Sequence, residues 1–260
     1  MRAARRESES GYYHVVARGN GKQIIFESND DRATFVRMLG ESSSAAGVKI
    51  IAWCLMENHV HMVLEDAEGR MSEAMRMLLS RYARYFNERT GHVGHVGAVF
   101  QGRFTGVPIM DDRQLLQAVR YIHENPAKAN IAAVDRYRWS SYQEYLGAPG
   151  LTRTETVLDM VQGPEGFIAL CSDDGGVVYV PRLGRGMDEN ARLHVATEVL
   201  SAAGLGAPGD VKRLSRARRD AAIRLLGEKG FSIRWIERLT GVGRGTIAHV
   251  LLGGREEPDR

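Results

Sequence analysis

Residues 48–65 read VKIIAWCLMENHVHMVLE, and no other stretch of the chain limits its fold as tightly. The first half, VKIIAWCLM, is rich in β-branched and large apolar residues, the composition of a strand. It is too uniformly apolar to be half exposed, since a strand with one face in water alternates. Glu57-Asn58 is a tight connection, and HVHMVLE at 59–65 is the next strand, so the two pair through a short turn. Residues i and i+2 of a strand point the same way. His59 and His61 therefore project side by side from one face, placed to hold one metal ion. Taken alone, such a pair is more often an ordinary surface or structural feature, because so short a motif carries little information.

The flanking segments extend this hairpin into a domain. GYYHVVAR at 11–18 has the composition of a strand, and Arg18-Gly19-Asn20-Gly21 is a turn signal. Asp30 or Asp31 caps a helix to about Ala46, with Phe35, Met38 and Leu39 on one face, and Gly47 ends it. Residues 70–89 form a long amphipathic helix with Met71, Met75, Leu78, Tyr82 and Phe86 in register. A Gly/His-rich loop at 90–98 leads to a final strand at 99–110. Asp111-Asp112 then caps a helix to about Glu124, which Asn125-Pro126 stops. The order β-α-β-β-α-β followed by a helix is that of a ferredoxin-like antiparallel sheet, an α/β (α+β) fold.

The expected domains are 1–147, a connector at 148–187 with one short helix near 154–162 and otherwise little structure of its own, and a helical unit at 188–260. Within the last, the basic RARRDAAIRLLGEKG, then SIRWIERLT, a turn at Gly241-Val242-Gly243 and RGTIAHVLL give a helix-turn-helix pattern anchored by Ile236, Leu239, Val242 and Ile247.

Charge and cysteine usage narrow the setting. The formal net charge is +3, mild enough to permit a nucleic-acid partner without demanding one. The two cysteines stand apart from one another, which rules out zinc-site spacing and argues against a disulfide framework. No run approaches the roughly 18 apolar residues that cross a membrane, and MRAARRESES lacks the apolar core of a secretory signal. A cytoplasmic protein with no membrane partner is expected.

Tyr121 and Asn125, in RYIHENP, share a helix face. A tyrosine hydroxyl is a poor nucleophile at its ordinary pKa of about 10 and needs a metal or a metal-polarised phosphate to attack a phosphodiester. A side-chain amide oxygen one turn on can complete a metal site with two imidazoles. Read singly, Tyr121 is a core residue and Asn125 a helix C-cap; it is their conjunction with the histidine pair in one compact domain that points to chemistry.

The chain resembles the REP-associated tyrosine transposases, a branch of the single-tyrosine HUH transposases. The resemblance covers about residues 10–147 and rests on YYHVVARGN at 12–20, WCLMENHVHMVLE at 53–65, NERTGHVGHVGAVFQGRF at 87–104, RYIHENPAKANI at 120–131 and WSSYQEYLG at 139–147. Any one block is weak, and all of them in order are specific. The duplicated Gly-His-Val departs from the family pattern before FQGRF and puts that loop's role in doubt, with His92 and His95 read as loop residues. The resemblance implies a ferredoxin-like fold, Tyr121 as nucleophile, and His59, His61 and Asn125 as ligands of a divalent metal, Mg²⁺ or Mn²⁺. It implies cutting and joining of single-stranded DNA at hairpins or repeat ends through a 5′-phosphotyrosyl intermediate, and a monomer rather than a dimer. Arg18, Asn20 and Arg103 are the candidate DNA contacts of this domain, with Lys22, Arg81, Arg84, Tyr12, Tyr13 and Tyr82 behind them.

The C-terminal unit resembles helix-turn-helix domains such as that of the bacterial replication initiator DnaA. That likeness makes double-stranded DNA a second possible partner, with Arg244, Thr246 and His249 facing the major groove and Arg213, Arg216, Arg218 and Arg219 meeting phosphates. Two other readings compete with the enzyme: a domesticated DNA-binding regulator that keeps the fold without cleavage, and a small-molecule metallohydrolase built on the histidine pair.

Overall fold

The computed structural model describes residues 8–91, 98–172 and 189–252. These fall into two units, 8–172 and 189–252. His92 and His95, and the expected connector beyond residue 172, lie outside the described residues.

In the first unit the chain runs β1 (Tyr12–Arg18), α1 (Asn29–Ala46), β2 (Lys49–Met56), β3 (His59–Glu65), α2 (Met71–Arg89), β4 (Thr105–Pro108) and α3 (Asp112–Lys128). The four strands form one antiparallel sheet in the order β2-β3-β1-β4, the ferredoxin-like arrangement expected from the element order. Both faces of the sheet are covered. Tyr13, Val15, Ala17, Val60, Met62 and Leu64 pack with α1 and α2, where Phe35, Leu39, Met75, Leu78, Tyr82 and Phe86 face inward. Ala52, Cys54, Met56 and Val63 pack on the other side against Leu115, Val119, Tyr121 and Ile122 of α3. This explains why VKIIAWCLM shows no alternation: both sets of its side chains are buried.

α1 begins two or three residues earlier than Asp30 or Asp31 would cap it. Ser28 is the N-cap, and a capping box joins it to Asp31, whose carboxylate accepts from the backbone N–H groups of Glu27 and Ser28. Asp31 is buried and also pairs with Arg89 of α2 at 2.7 Å, so it ties the start of one helix to the end of the other.

Three expectations need correction. The strand expected over 99–110 is two pieces, because Gly102 sits at φ 67°, a left-handed conformation that breaks the pleat. Before it, Phe100 makes a single bridge to Gly19, and only Thr105–Pro108 pairs as β4. At Gly19 a side chain would put its Cβ 2.3 Å from the carbonyl oxygen of Gln23, which is why the turn after β1 takes glycine. Second, α3 does not stop at Asn125-Pro126 but continues to Lys128 with Pro126 inside it. Proline removes one donor and its φ suits a helix; the turn persists because Ala129 N–H bonds to Asn125 and Ile131 N–H to Pro126.

Third, residues 148–172 hold more structure than the one short helix expected near 154–162, which is α4. Arg153 N–H donates to Ile50 C=O at 2.8 Å. Then α4 (Glu155–Val161) and α5 (Pro164–Ser172) bury Val157, Phe167 and Cys171 in the core on the α3 side. The WSSYQEYLG segment prepares their seat by running along the outer edge of β2. Trp139 C=O accepts from Leu55 N–H, Ser141 Oγ accepts from Trp53 N–H, and the Tyr137 and Tyr145 hydroxyls donate to Leu55 and Ile51 carbonyls at 2.6 Å. An edge strand with unpaired backbone groups invites association, and this segment satisfies that edge.

The second unit holds α6 (Glu189–Ala202), α7 (Arg216–Glu228), α8 (Ile233–Thr240) and α9 (Arg244–Leu252) around a small core of its own. Ile236, Val242 and Ile247 are buried there as expected, and Leu239 packs partly buried. Among the described residues no helix is long and apolar enough to cross a membrane.

His123 lies on the side of α3 away from Tyr121 and is wholly buried among Tyr142, Tyr145 and Phe167, with its Nε2 2.9 Å from Ser141 Oγ. Burial in this aromatic box pushes the imidazole down to about 3. The unfolded chain takes up a proton at this ring below about pH 6.5, whereas the folded one resists until about pH 3. The stability His123 confers is therefore complete above about pH 6.5 and is lost on acidification, by up to roughly 1.4 kcal/mol per pH unit. Urea unfolding at pH 6.5 and pH 5 checks this: the wild type is expected to lose about 1–2 kcal/mol more than His123→Gln, and equal losses would contradict it.

Candidate active site

The pairing register builds the site. β1 lies antiparallel to β3 with Val16 opposite His61 and Arg18 opposite His59. His14, Val16 and Arg18 of β1 thus share the sheet face of His59 and His61, the face that α3 covers. Asp111 caps α3, accepting from Gln114 N–H at 2.7 Å, and the helix carries Tyr121 over the histidines.

The rings form one packed group. His59 and His61 have centroids 4.8 Å apart and nearly perpendicular planes. Tyr121 meets His61 edge-on at 5.6 Å and His14 edge-on at 5.8 Å. His14 and His61 stack at 5.4 Å with an interplanar angle of 24°. His14 and His61 are each 1 % exposed and Tyr121 is 4 % exposed, while His59 is half-buried toward solvent. Tyr121, His59 and His61, the three residues the sequence singles out, are thereby brought together.

Each imidazole of the pair is oriented through its Nδ1. His59 Nδ1 is 2.7 Å from Asn58 Oδ1, and the Asn58 amide is fixed by its Nδ2 donating to Lys22 C=O. A carbonyl oxygen only accepts, so His59 Nδ1 carries a proton and the ring's lone pair is on Nε2. His61 Nδ1 is 3.1 Å from His14 Nε2, a contact in which either ring can be the donor. Metal-binding histidines characteristically engage the second ring nitrogen in this way, so the two rings fit a divalent cation. Among the described residues no three His, Cys, Asp or Glu side chains converge as a metal site. A cation held here therefore draws its other donors from neutral oxygens, water or substrate.

Asn125, one turn after Tyr121, is half-buried and donates from Nδ2 to Tyr121 C=O at 2.8 Å. Its Oδ1 is the atom with ligating chemistry. Two residues near Tyr121 escaped the sequence reading. His14 becomes visible only once β1 is paired with β3. Lys128 places its Nζ 4.9 Å from the centre of the Tyr121 ring while also pairing with Glu124 at 2.8 Å. It stands seven residues after Tyr121 on the same helix face, a relation hidden by ending the helix at Pro126.

The candidate DNA contacts divide by position. Arg18 ends β1 opposite His59, and its Nε is buried with no hydrogen-bond partner among the described residues. Asn20 is exposed in the short helical turn that follows β1. Arg103 is exposed between buried Phe100 and Phe104. Tyr82 is fully buried, its hydroxyl donating to Ile25 C=O, and Tyr13 is buried, so neither is open to a base; Tyr12 is half-buried. Arg81 pairs with Glu41. In the second unit Arg244 and Thr246 are exposed on the first turn of α9, with Arg244 paired to Glu237 of α8. Arg218 donates to Gly204 C=O, and Arg219 is half-buried beside Asp220 at 3.5 Å.

One solved structure similar to this chain is that of a REP-associated tyrosine transposase bound to a REP hairpin, 16% identical over 56% of this chain and 86% of that one, with a TM-score of 0.47. Another is a chain described as a transposase from Deinococcus radiodurans R1, 17% identical over 51% of this chain and 99% of that one, with a TM-score of 0.33. Neither likeness is close enough to carry residue roles across. No curated protein matches. Residues 7–125 match the family described as IS200-like transposases. That span takes in β1 and runs through Tyr121 to Asn125, a little under half of the chain.

Proposed function

We propose that the first unit is a metal-dependent endonuclease and strand-transferase for single-stranded DNA, with Tyr121 as nucleophile and His59, His61 and Asn125 Oδ1 as the protein ligands of Mg²⁺ or Mn²⁺. The observation that carries this reading is the packing of the Tyr121 ring against His61, on the sheet face where His59 stands beside it. A divalent cation held by these residues would supply polarisation of the scissile phosphate and offset the charge that develops on it. Imidazole and amide-oxygen donors suit such hard or borderline ions.

The chain's own residues do the rest. The Tyr121 oxygen attacks phosphorus, a phosphotyrosyl bond forms to the 5′ side, and the bond to the 3′ oxygen breaks. The proton given up by the phenol is matched by the proton taken up by the leaving 3′-hydroxyl, so the exchange needs no nucleotide cofactor. Attack by a different 3′-hydroxyl reverses the step and joins strands. Arg18, opposite His59 in the sheet, and Lys128, against the Tyr121 ring, supply positive charge near the phenol. The substrate we assign is DNA with hairpins or repeat ends, supported by the ordered sequence blocks and the family match.

Incubating the protein with a labelled single-stranded hairpin oligonucleotide in Mn²⁺ or Mg²⁺ tests this. The wild type is expected to become covalently labelled. Tyr121→Phe is expected to lose the adduct entirely while keeping DNA binding within about twofold. An adduct from Tyr121→Phe would overturn the nucleophile assignment, and binding without any adduct from the wild type would favour a non-cleaving regulator.

For the second unit we propose duplex DNA binding through α9. Support comes from the left-handed cap at Gly241 that turns α8 into α9, and from Arg244 and Thr246 standing exposed on the first turn of α9. The exposed pair of Arg244 with Glu237 is weak enough for Arg244 to exchange it for DNA. Arg244→Ala in the full chain is expected to weaken binding to a duplex selected from a random library about tenfold. Unchanged anisotropy titrations would refute a groove role for α9.

A further inference from the structure

The orientation of His59 is settled by an amide oxygen, but that of His61 is not settled by its neighbour's chemistry. Its Nδ1 partner is another imidazole, His14 Nε2 at 3.1 Å, and either ring can be the donor. The alternatives have opposite consequences. If His14 donates, His61 Nδ1 holds the lone pair and a neutral His61 carries its proton on Nε2, where it blocks a cation. If His61 donates, its Nε2 lone pair faces outward as a ligand.

We propose that His14 is a positioning residue of the metal site: it accepts the Nδ1–H of His61 at Nε2 and so fixes His61 in the ligating tautomer. This rests on reading His59 and His61 as metal ligands. Three features of the structure support it. The two rings are stacked within 24° of parallel, so His14 sets the plane of His61 as well as its proton. Both are 1 % exposed, so bulk water does not compete for the bond. And the arrangement repeats what Asn58 does for His59, an acceptor one bond behind the ligand. His14 is not itself a third imidazole ligand, because its Nε2 is engaged with His61. The site thus takes one supporting acceptor from the turn before β3 and one from the neighbouring strand, tying metal affinity to the β1–β3 register.

Substitution at His14 distinguishes this from simple packing. His14→Phe keeps a stacked ring without the acceptor, and His14→Gln returns an acceptor near the position of Nε2. Manganese binding is measured by titration of the whole protein with MnCl₂, without DNA. His14→Phe is expected to bind Mn²⁺ about 10- to 100-fold more weakly, and His14→Gln to recover to within a few-fold of wild type. In metal-free wild type, long-range ¹H–¹⁵N spectra of labelled histidine are expected to show His61 protonated at Nδ1, a result that stands whether or not the Phe variant folds. A wild-type His61 protonated at Nε2, or a folded His14→Phe with wild-type Mn²⁺ affinity, overturns the proposal. Wild type that binds no Mn²⁺, or binds it equally in His59→Ala and His61→Ala, defeats instead the reading on which the proposal rests.

Discussion

The antiparallel pairing of β1 with β3 in one register is the constraint on which the site depends. Because side chains alternate along a strand, a slip of one residue would turn His59 and His61 into the α1–α2 core and bring Val60, Met62 and Leu64 under Tyr121. The slip is opposed by burial on both faces: Val15, Ala17, Val60, Met62 and Leu64 fill one side, and Val63 with the imidazoles fills the other. Burying a residue such as Leu or Met contributes about 1.5–3 kcal/mol, so misplacing several apolar residues and burying imidazoles among them outweighs the marginal stability of a typical domain. The core therefore fixes where the chemistry stands.

Much of this was legible in the residues. The hairpin at 48–65, the projection of both histidines to one face, and the helix bringing Tyr121 and Asn125 to a common side all follow from local periodicity. So do the buried faces of α1 and α2, and the ferredoxin-like order follows from the succession of elements. What local periodicity cannot give is a neighbour across strands. His14 sits two residues after Tyr12 in an unremarkable strand, and nothing in GYYHVVAR says that it meets His61 until the register is known. Lys128 was hidden for a different reason: proline is a good stop signal but tolerable where the flanking bonds survive, as they do around Pro126. The reading of 99–110 as one strand failed on Gly102, whose left-handed backbone was not anticipated inside an apolar run. In residues 148–172 the short α4 was legible but α5 and the packing of both were not, because their stability comes from Val157 and Phe167 entering a core built by distant parts of the chain.

The motif RYIHENP combines two duties on one helix. Tyr121 faces the histidines of the sheet, while His123, two positions on, faces the aromatic box with Tyr142, Tyr145 and Phe167. The first serves the chemistry proposed here and the second holds the helix in place, through a ring that remains neutral because it is buried. The segment at 137–146 belongs to the same device, since it closes the edge of β2 and supplies the walls around His123. Placement of the phenol thus depends on parts of the chain that never approach the site.

Anomalous diffraction from crystals grown with Mn²⁺ puts the central claim to the most direct test. The account predicts one manganese peak within bonding distance of both His59 Nε2 and His61 Nε2, with the Tyr121 hydroxyl on the same side of the sheet. A peak bound elsewhere, with these two rings intact and metal-free, would contradict it.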